Sequence, residues 1–237
     1  MNTTLERVNG FWTREGTTDA NAVYALADDE YGLLGQTFAG WAIDVGAHIG
    51  TVSLMLARTN PDLLILAIEA VPDNSDLLER NIATASLEGR IISVRASAAR
   101  PGAITGLCHY GYRHREEEGD SYVSAHRFVG NTWVDRGEPE FSVTMPAISL
   151  DDLLDDYSIA DVAVLKIDCE GCEWAFLDTP AVSRVALIVG EFHGGYPGHE
   201  AHVPDPMARI TEMLSPTHDV EIVKPDPCVG LFRAVRR

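Results

Sequence analysis

The stretch Trp41 to Ala57, WAIDVGAHIGTVSLMLA, decides how this chain folds. An apolar run, Trp41 to Val45, carries one acid, Asp44, near its end. Gly46-Ala47-His48-Ile49-Gly50 breaks the run, and a second apolar stretch begins at Val52. Run, glycine turn and run read as strand, tight turn and helix. Gly46 and Gly50 let a ligand approach the backbone. The helix behind them aims free N–H groups and its positive dipole end at that ligand. Turns of this kind hold nucleotides and related adenosine compounds. A strand-turn-helix with no ligand at all is the other reading.

The dinucleotide fingerprint G-x-G-x-x-G is missing, because His48 and Thr51 stand where its later glycines belong. Asp44, at the mouth of the turn, would repel a pyrophosphate and suit a ligand carrying positive charge. S-adenosylmethionine is such a ligand, with a sulfonium, an ammonium and no phosphate. The next apolar run, Leu63 to Ile68, ends in Glu69. An acid there, about 20 residues past a glycine turn, reaches a ribose diol in such folds. Its carboxylate accepts from both hydroxyls. The competing reading of Glu69 is a surface acid on a loop.

At 237 residues the chain fits one domain, 1–237, with a buried core. Its 36 acidic and 18 basic residues give a formal charge of −18, which weighs against nucleic acid and anionic membranes as partners. The acidity is that of a solvated, soluble surface. Four cysteines are too few for a disulfide framework in a chain this long. The start, MNTTLERVNGFW, has no signal-peptide plan, and no apolar run approaches a membrane span. The expectation is a cytoplasmic protein with reduced thiols.

Residues 1–40 read as a helical arm, with a helix over Thr17 to Ala27, packed over the domain edge; a role in covering the ligand is its other reading. Pro72 opens a helix whose Leu78, Ile82 and Ala85 share one face. Arg90 to Ala96 is a third strand, and Ser97 and Ala98 at its end are placed to line an adenine. Residues 101–146 break the plan with scattered aromatic and basic side chains, and this insertion is the candidate for substrate recognition. Ser149 and Asp152 have the spacing of a capping box before Leu150, Leu153 and Leu154. Val162 to Ile167 is a fourth strand and Val185 to Val189 a fifth, the latter followed by Gly190-Glu191-Phe192-His193. Met207, Ile210 and Leu214 mark a helix. Val220 to Val223 and Val229 to Val235 form a closing hairpin, so one strand runs antiparallel. Alternating strands and helices predict a mostly parallel sheet with helices on both faces.

Leu165 to Glu173 reads LKIDCEGCE. With AIDVGAHIG, AIEAVPDNSDLLERNI and SLDDLL in this order, it resembles the FkbM family of S-adenosylmethionine-dependent methyltransferases, from about Trp41 to His193. The resemblance implies the Rossmann-like class I methyltransferase fold, a seven-stranded α/β sheet with its last strand antiparallel. The family's cofactor turn falls on Asp44, Gly46, Ala47 and Gly50. Its ribose acid falls on Glu69, with Ala70 beside it, and its segment after the third strand on Ser97 and Ala98. Its late motif falls on Lys166, Asp168, Glu170, Gly171 and Glu173, with Asp168 also facing the cofactor. His48 stands where many relatives carry asparagine, and either can hydrogen-bond. Cys169 and Cys172 replace small or branched apolar residues and are expected to be small packing residues rather than a metal or redox pair.

The family's reaction is an in-line displacement on the sulfonium, with the acceptor held on the methyl axis. By analogy the first, fourth and fifth strands are neighbours, and ligands bind outside their carboxyl ends. His193 is the expected general base, with Asp168 and Glu191 orienting acceptor or base. A divalent metal on Asp168, Glu191 and His193 ranks below this metal-free version. The expected activity is O-methylation of a hydroxyl on a small-molecule natural product or sugar. The alternatives are N-methylation and a non-catalytic protein that retains the fold. A nicotinamide oxidoreductase is disfavoured by the missing third glycine. A homodimer is compatible with the sequence, which leaves the oligomeric state open.

Overall fold

The computed structural model describes residues 4–101, 105–107, 143–194 and 203–237. Most of the expected recognition insertion, 101–146, lies outside the described residues. In chain order the elements are β1 (Leu5–Val8), β2 (Phe11–Arg14), α1 (Asp19–Ala25), β3 (Gly40–Val45), α2 (Thr51–Thr59), β4 (Leu63–Ile68), α3 (Pro72–Thr84) and β5 (Ile91–Val94). The short strands β6 (Ser97–Ala98), β7 (Thr105–Leu107), β8 (Val143–Met145) and β9 (Ala147–Ile148) follow. Then come α4 (Leu150–Asp156), β10 (Val162–Ile167), α5 (Glu173–Phe176), β11 (Leu187–His193), α6 (Pro206–Leu214), β12 (His218–Lys224) and β13 (Val229–Arg236).

Seven strands form one sheet in the order β12-β13-β11-β10-β3-β4-β5. β3, β4, β5, β10 and β11 pair in parallel, and the last strand, β13, lies antiparallel between β11 and β12. This is the expected class I architecture. It places β3, β10 and β11 side by side, as the motif argument required.

The central strands β3, β4, β10 and β11 are buried on both faces, so they read as nearly continuous apolar runs. Along β3, Ala42 joins the core under α1, α2 and α3, whereas Ile43 and Val45 join the core under α4, α5 and α6. Helix α4 starts as its sequence predicts. The Ser149 side chain accepts from the Asp152 backbone N–H, and the Asp152 side chain accepts from that of Ser149.

Three local readings are corrected. The arm expected to be helical opens with a hairpin, β1–β2, turned at Asn9-Gly10, both with positive φ. Asn-Gly between short strands is a hairpin signal, and the helix that follows starts at Asp19 and continues from Leu26 to Asp28 as a 3-10 turn. The fifth strand runs on through His193, because β11 pairs with β13 along its whole length. Glu191 and His193 therefore sit on a strand and not in a loop beyond it. Cys169 and Cys172 form a disulfide, and Cys228 is free. Positive φ at Glu170 and Gly171 folds that turn until the two Cα atoms are 5.4 Å apart, within disulfide range.

Two glycines let β10 close against its neighbours. A Cβ on Gly46, whose φ is +73°, would run into the Asp168 carbonyl, and one on Gly190 into the Ile167 carbonyl. Gly46→Ala is therefore expected to destabilise the fold by at least about 1–3 kcal/mol from backbone strain alone, read by urea unfolding. Unchanged stability would mean that β10 does not need this approach.

Candidate active site

A cavity opens at the carboxyl ends of β3, β4 and β10. Its floor is the turn Gly46-Ala47-His48 and the first turn of α2, at Thr51 and Val52. One wall is Glu69, Ala70, Val71 and Asn74, another Ala96, Ser97 and Ala98, and a third Lys166, Asp168, Cys169, Glu170 and Cys172. The arm supplies the rest, through Ala22, Leu26, Asp29, Glu30, Tyr31 and Leu33.

The expected cofactor residues separate into two groups. Gly46, Ala47, His48, Glu69, Ala70, Ser97, Ala98 and Asp168 line this cavity. Asp44 and Gly50 do not. Asp44 is fully buried beneath the turn, which corrects its expected place at the mouth. Its Oδ2 accepts from the Ser53 hydroxyl at 2.6 Å, and its Oδ1 lies 3.3 Å from Lys166 Nζ. The reason is register: Asp44 and Lys166 are directly paired residues of β3 and β10, so both side chains leave the sheet on one face. Lys166 Nζ also donates to the Gly46 carbonyl at 3.1 Å. Burial pushes the Lys166 ammonium down, but Asp44, with Asp168 and Glu191, outweighs this and holds it above its ordinary value.

Glu69 is buried and accepts the backbone N–H of His48 at 2.8 Å and that of Val71 at 2.8 Å, one on each oxygen. Asn74 Nδ2 also donates to Oε1, at 3.4 Å, so Oε2 is the oxygen that keeps a second lone pair for a ligand. His48 sits at φ +52°, where asparagine is also tolerated, and its Nε2 lies 3.2 Å from Asp19 Oδ1. Asp19 also binds Arg14, and Arg14 reaches Asn74 on α3. Burial pushes the Asp19 carboxyl up, but His48 and Arg14 outweigh this and hold it well below the usual carboxylate range. This network fastens the arm to the cofactor turn.

Asp168, Glu191 and His193 come together beside the cavity, which Asp168 lines and the other two flank. His193 Nε2 is 3.5 Å from Glu191 Oε2, 3.5 Å from Glu170 Oε2 and 4.0 Å from Asp168 Oδ1. On the other side of the ring Nδ1 lies 3.2 Å from Glu173 Oε1, a fully buried carboxylate. Burial would lower the His193 pKa, but Glu173 and Glu191, with Glu170, outweigh this and raise it to about 11. Surrounded this way, the ring favours its protonated form. Burial, with the neighbouring carboxylates, pushes Glu170 up to about 7.

Sequence reasoning missed Tyr31 and Glu30. The Tyr31 hydroxyl donates to Asp168 Oδ2 at 2.9 Å. Burial, helped by Asp168, pushes the Tyr31 pKa far up, so it stays a donor. Burial and the charges of Glu191 and Asp168 also raise Glu30. No local signal marks either residue, since 137 positions separate Tyr31 from its partner.

The donor set fits S-adenosylmethionine. Asp29, Glu30, Glu69, Asp168 and Glu170 line the cavity, against Lys166 and His48 as its basic side chains. Lys166 is already engaged by Asp44. Such walls favour a cationic ligand and disfavour a phosphate.

Strand order and cavity position are those of a class I S-adenosylmethionine-dependent methyltransferase. The chain belongs to the methyltransferase FkbM domain family, which matches residues 44–215. Solved structures of the same fold include the precorrin-6y C5,15-methyltransferase of Geobacter metallireducens, at 14% identity and TM-score 0.50, covering 95% of this chain and 93% of that one. They also include a Clostridium thermocellum protein described as an rRNA methylase, at 9% identity and TM-score 0.52, covering 90% and 95%. At these identities the likeness shows the fold and does not choose an acceptor. A search of curated proteins gives no match to the sequence. Among the described residues no helix is long and apolar enough to cross a membrane.

Two outcomes follow from the buried charges. Lys166→Met leaves Asp44 unpaired and is expected to cost about 3–5 kcal/mol in urea unfolding. Adding Asp44→Asn should restore part of that loss. The depressed Asp19 pKa means that its contribution is present above the ordinary aspartate pKa and lost as pH falls from about 4. Asp19→Asn should therefore lower stability at pH 7 and flatten its decline in acid, followed by circular dichroism.

Proposed function

We propose that this methyltransferase methylates a hydroxyl group of a small molecule. The observation that carries the reading is Asp168, a carboxylate on the cavity wall whose Oδ2 is held by Tyr31 and whose Oδ1 faces His193 and its neighbours. S-adenosylmethionine supplies the methyl group and its own leaving group. Glu69 accepts a ribose hydroxyl on Oε2, beside the backbone N–H of His48. The wall Ala96, Ser97 and Ala98 takes the adenine.

Asp168 accepts the hydrogen bond of the acceptor hydroxyl and fixes its direction. A hydroxyl must shed its proton as it is methylated, and the carboxylates Asp168, Glu170 and Glu191 offer places for it. A neutral amine attacks without such help, and this favours oxygen over nitrogen. The −18 charge supports a small-molecule acceptor over a nucleic acid. A natural product or sugar meets these requirements.

Calorimetry with S-adenosylhomocysteine should show binding to the wild-type protein. Glu69→Gln should weaken it about tenfold or more, since a hydrogen bond to a charged group contributes about 1.5–3 kcal/mol. No binding to the wild type would overturn the cofactor reading. Methyl transfer confined to amines, in a panel of hydroxylated and amine acceptors, would overturn the hydroxyl reading alone.

A further inference from the structure

We propose that Asp168, Glu191 and His193 form a binding site for one divalent cation of the Mg²⁺ or Mn²⁺ kind, at the acceptor end of the cofactor cavity. What the ion does rests on the methyl-transfer reading above; whether it binds does not.

The strands build this triad. Ile167 and Gly190 are paired residues of β10 and β11, so Asp168 and Glu191 each stand one residue beyond that pair. His193 follows Glu191 by two and shares its face of the strand. One ligand atom from each of the three lies within 4.8 Å of the others, with Nε2 at 3.5 Å from Glu191 Oε2 and 4.0 Å from Asp168 Oδ1. Ligands of an octahedral ion at about 2.0–2.1 Å stand about 3.0 Å apart when adjacent and about 4.2 Å when opposite. The observed spacings need only a small inward movement to meet one ion.

Two further contacts point the donors. Buried Glu173 accepts the His193 backbone N–H at 2.6 Å and faces ring Nδ1 at 3.2 Å, which leaves Nε2 directed at the carboxylates. A carboxylate behind a histidine is the usual support of a metal-binding imidazole. Tyr31 holds Asp168 Oδ2, which leaves Oδ1 for the site. Three carboxylates, Asp168, Glu170 and Glu191, face one ring nitrogen. A single N–H can serve one of them, whereas a divalent ion that takes the place of that proton, releasing it to solvent, binds several at once. Two carboxylate oxygens and an imidazole suit a hard cation that tolerates nitrogen. The other donor group among the described residues, Cys169, Cys172 and Glu173, has its sulfurs joined to each other. Set beside the methyl donor, an ion on the triad would hold the acceptor hydroxyl and lower its pKa.

The test is a titration of Mn²⁺ into chelator-stripped full-length protein, followed by calorimetry and electron spin echo. One Mn²⁺ per chain is expected, with nitrogen modulation of the echo from the His193 ring. Glu191→Gln should weaken Mn²⁺ at least about tenfold, and Glu173→Gln about 10–100-fold. Glu191→Gln should still bind S-adenosylhomocysteine, because Glu191 is not part of the cavity wall. Wild-type protein that binds no Mn²⁺, with or without S-adenosylhomocysteine, would overturn the proposal. So would bound Mn²⁺ without nitrogen modulation, a reading on the wild type that needs no variant to fold. Mn²⁺ binding without S-adenosylhomocysteine binding would sink the methyl-transfer reading and leave the ion site standing.

Discussion

The buried pair of Asp44 and Lys166 is the constraint on which the site depends. It joins two neighbouring strands just below the point where each ends in a functional turn. Lys166 reaches past its partner to the Gly46 carbonyl, so one ammonium fixes both the ion pair and the backbone above it. The charges cannot relax independently, because an unpaired ion at this depth is strongly destabilising. The pair therefore sets the height of the glycine turn relative to Asp168, and with it the distance between the floor of the cavity and the wall that Asp168 belongs to.

That arrangement explains how much the sequence disclosed. Strand, glycine turn and helix over 41–57 were legible because apolar runs and glycine placement are local signals. Glu69 was legible for the same reason, as the acid closing the next run. Asp44 was recognised as important but assigned the wrong place. Sequence shows that an acid lies near a turn, and not which way its side chain leaves the strand; that follows from its register with Lys166, over a hundred residues away. The hairpin at Asn9-Gly10 was legible in principle, since Asn-Gly between short strands is a turn signal.

The clustering of Asp168, Glu191 and His193 was inferred from strand neighbourhood, and the structure brings them together. Their electrical setting was not legible. An isolated histidine suggests a base near neutrality, but this one sits among Asp168, Glu170, Glu173 and Glu191, drawn from two strand ends, a turn and the start of α5. Glu170 reaches the ring only because its turn adopts positive φ, and the same turn unites Cys169 with Cys172. Tyr31 comes from the arm. Charge density at a site is a property of the fold, and pKa follows it.

The arm has one more implication. The family's shared region begins at residue 44, yet one side of the cavity is lined by residues from 22–33. A fragment excised at that boundary would keep the glycine turn, Glu69 and the late motif, yet lose most of β3 and the arm side chains that line the cavity. The stretch that carries the family's motifs is thus not by itself the stretch that encloses the cavity.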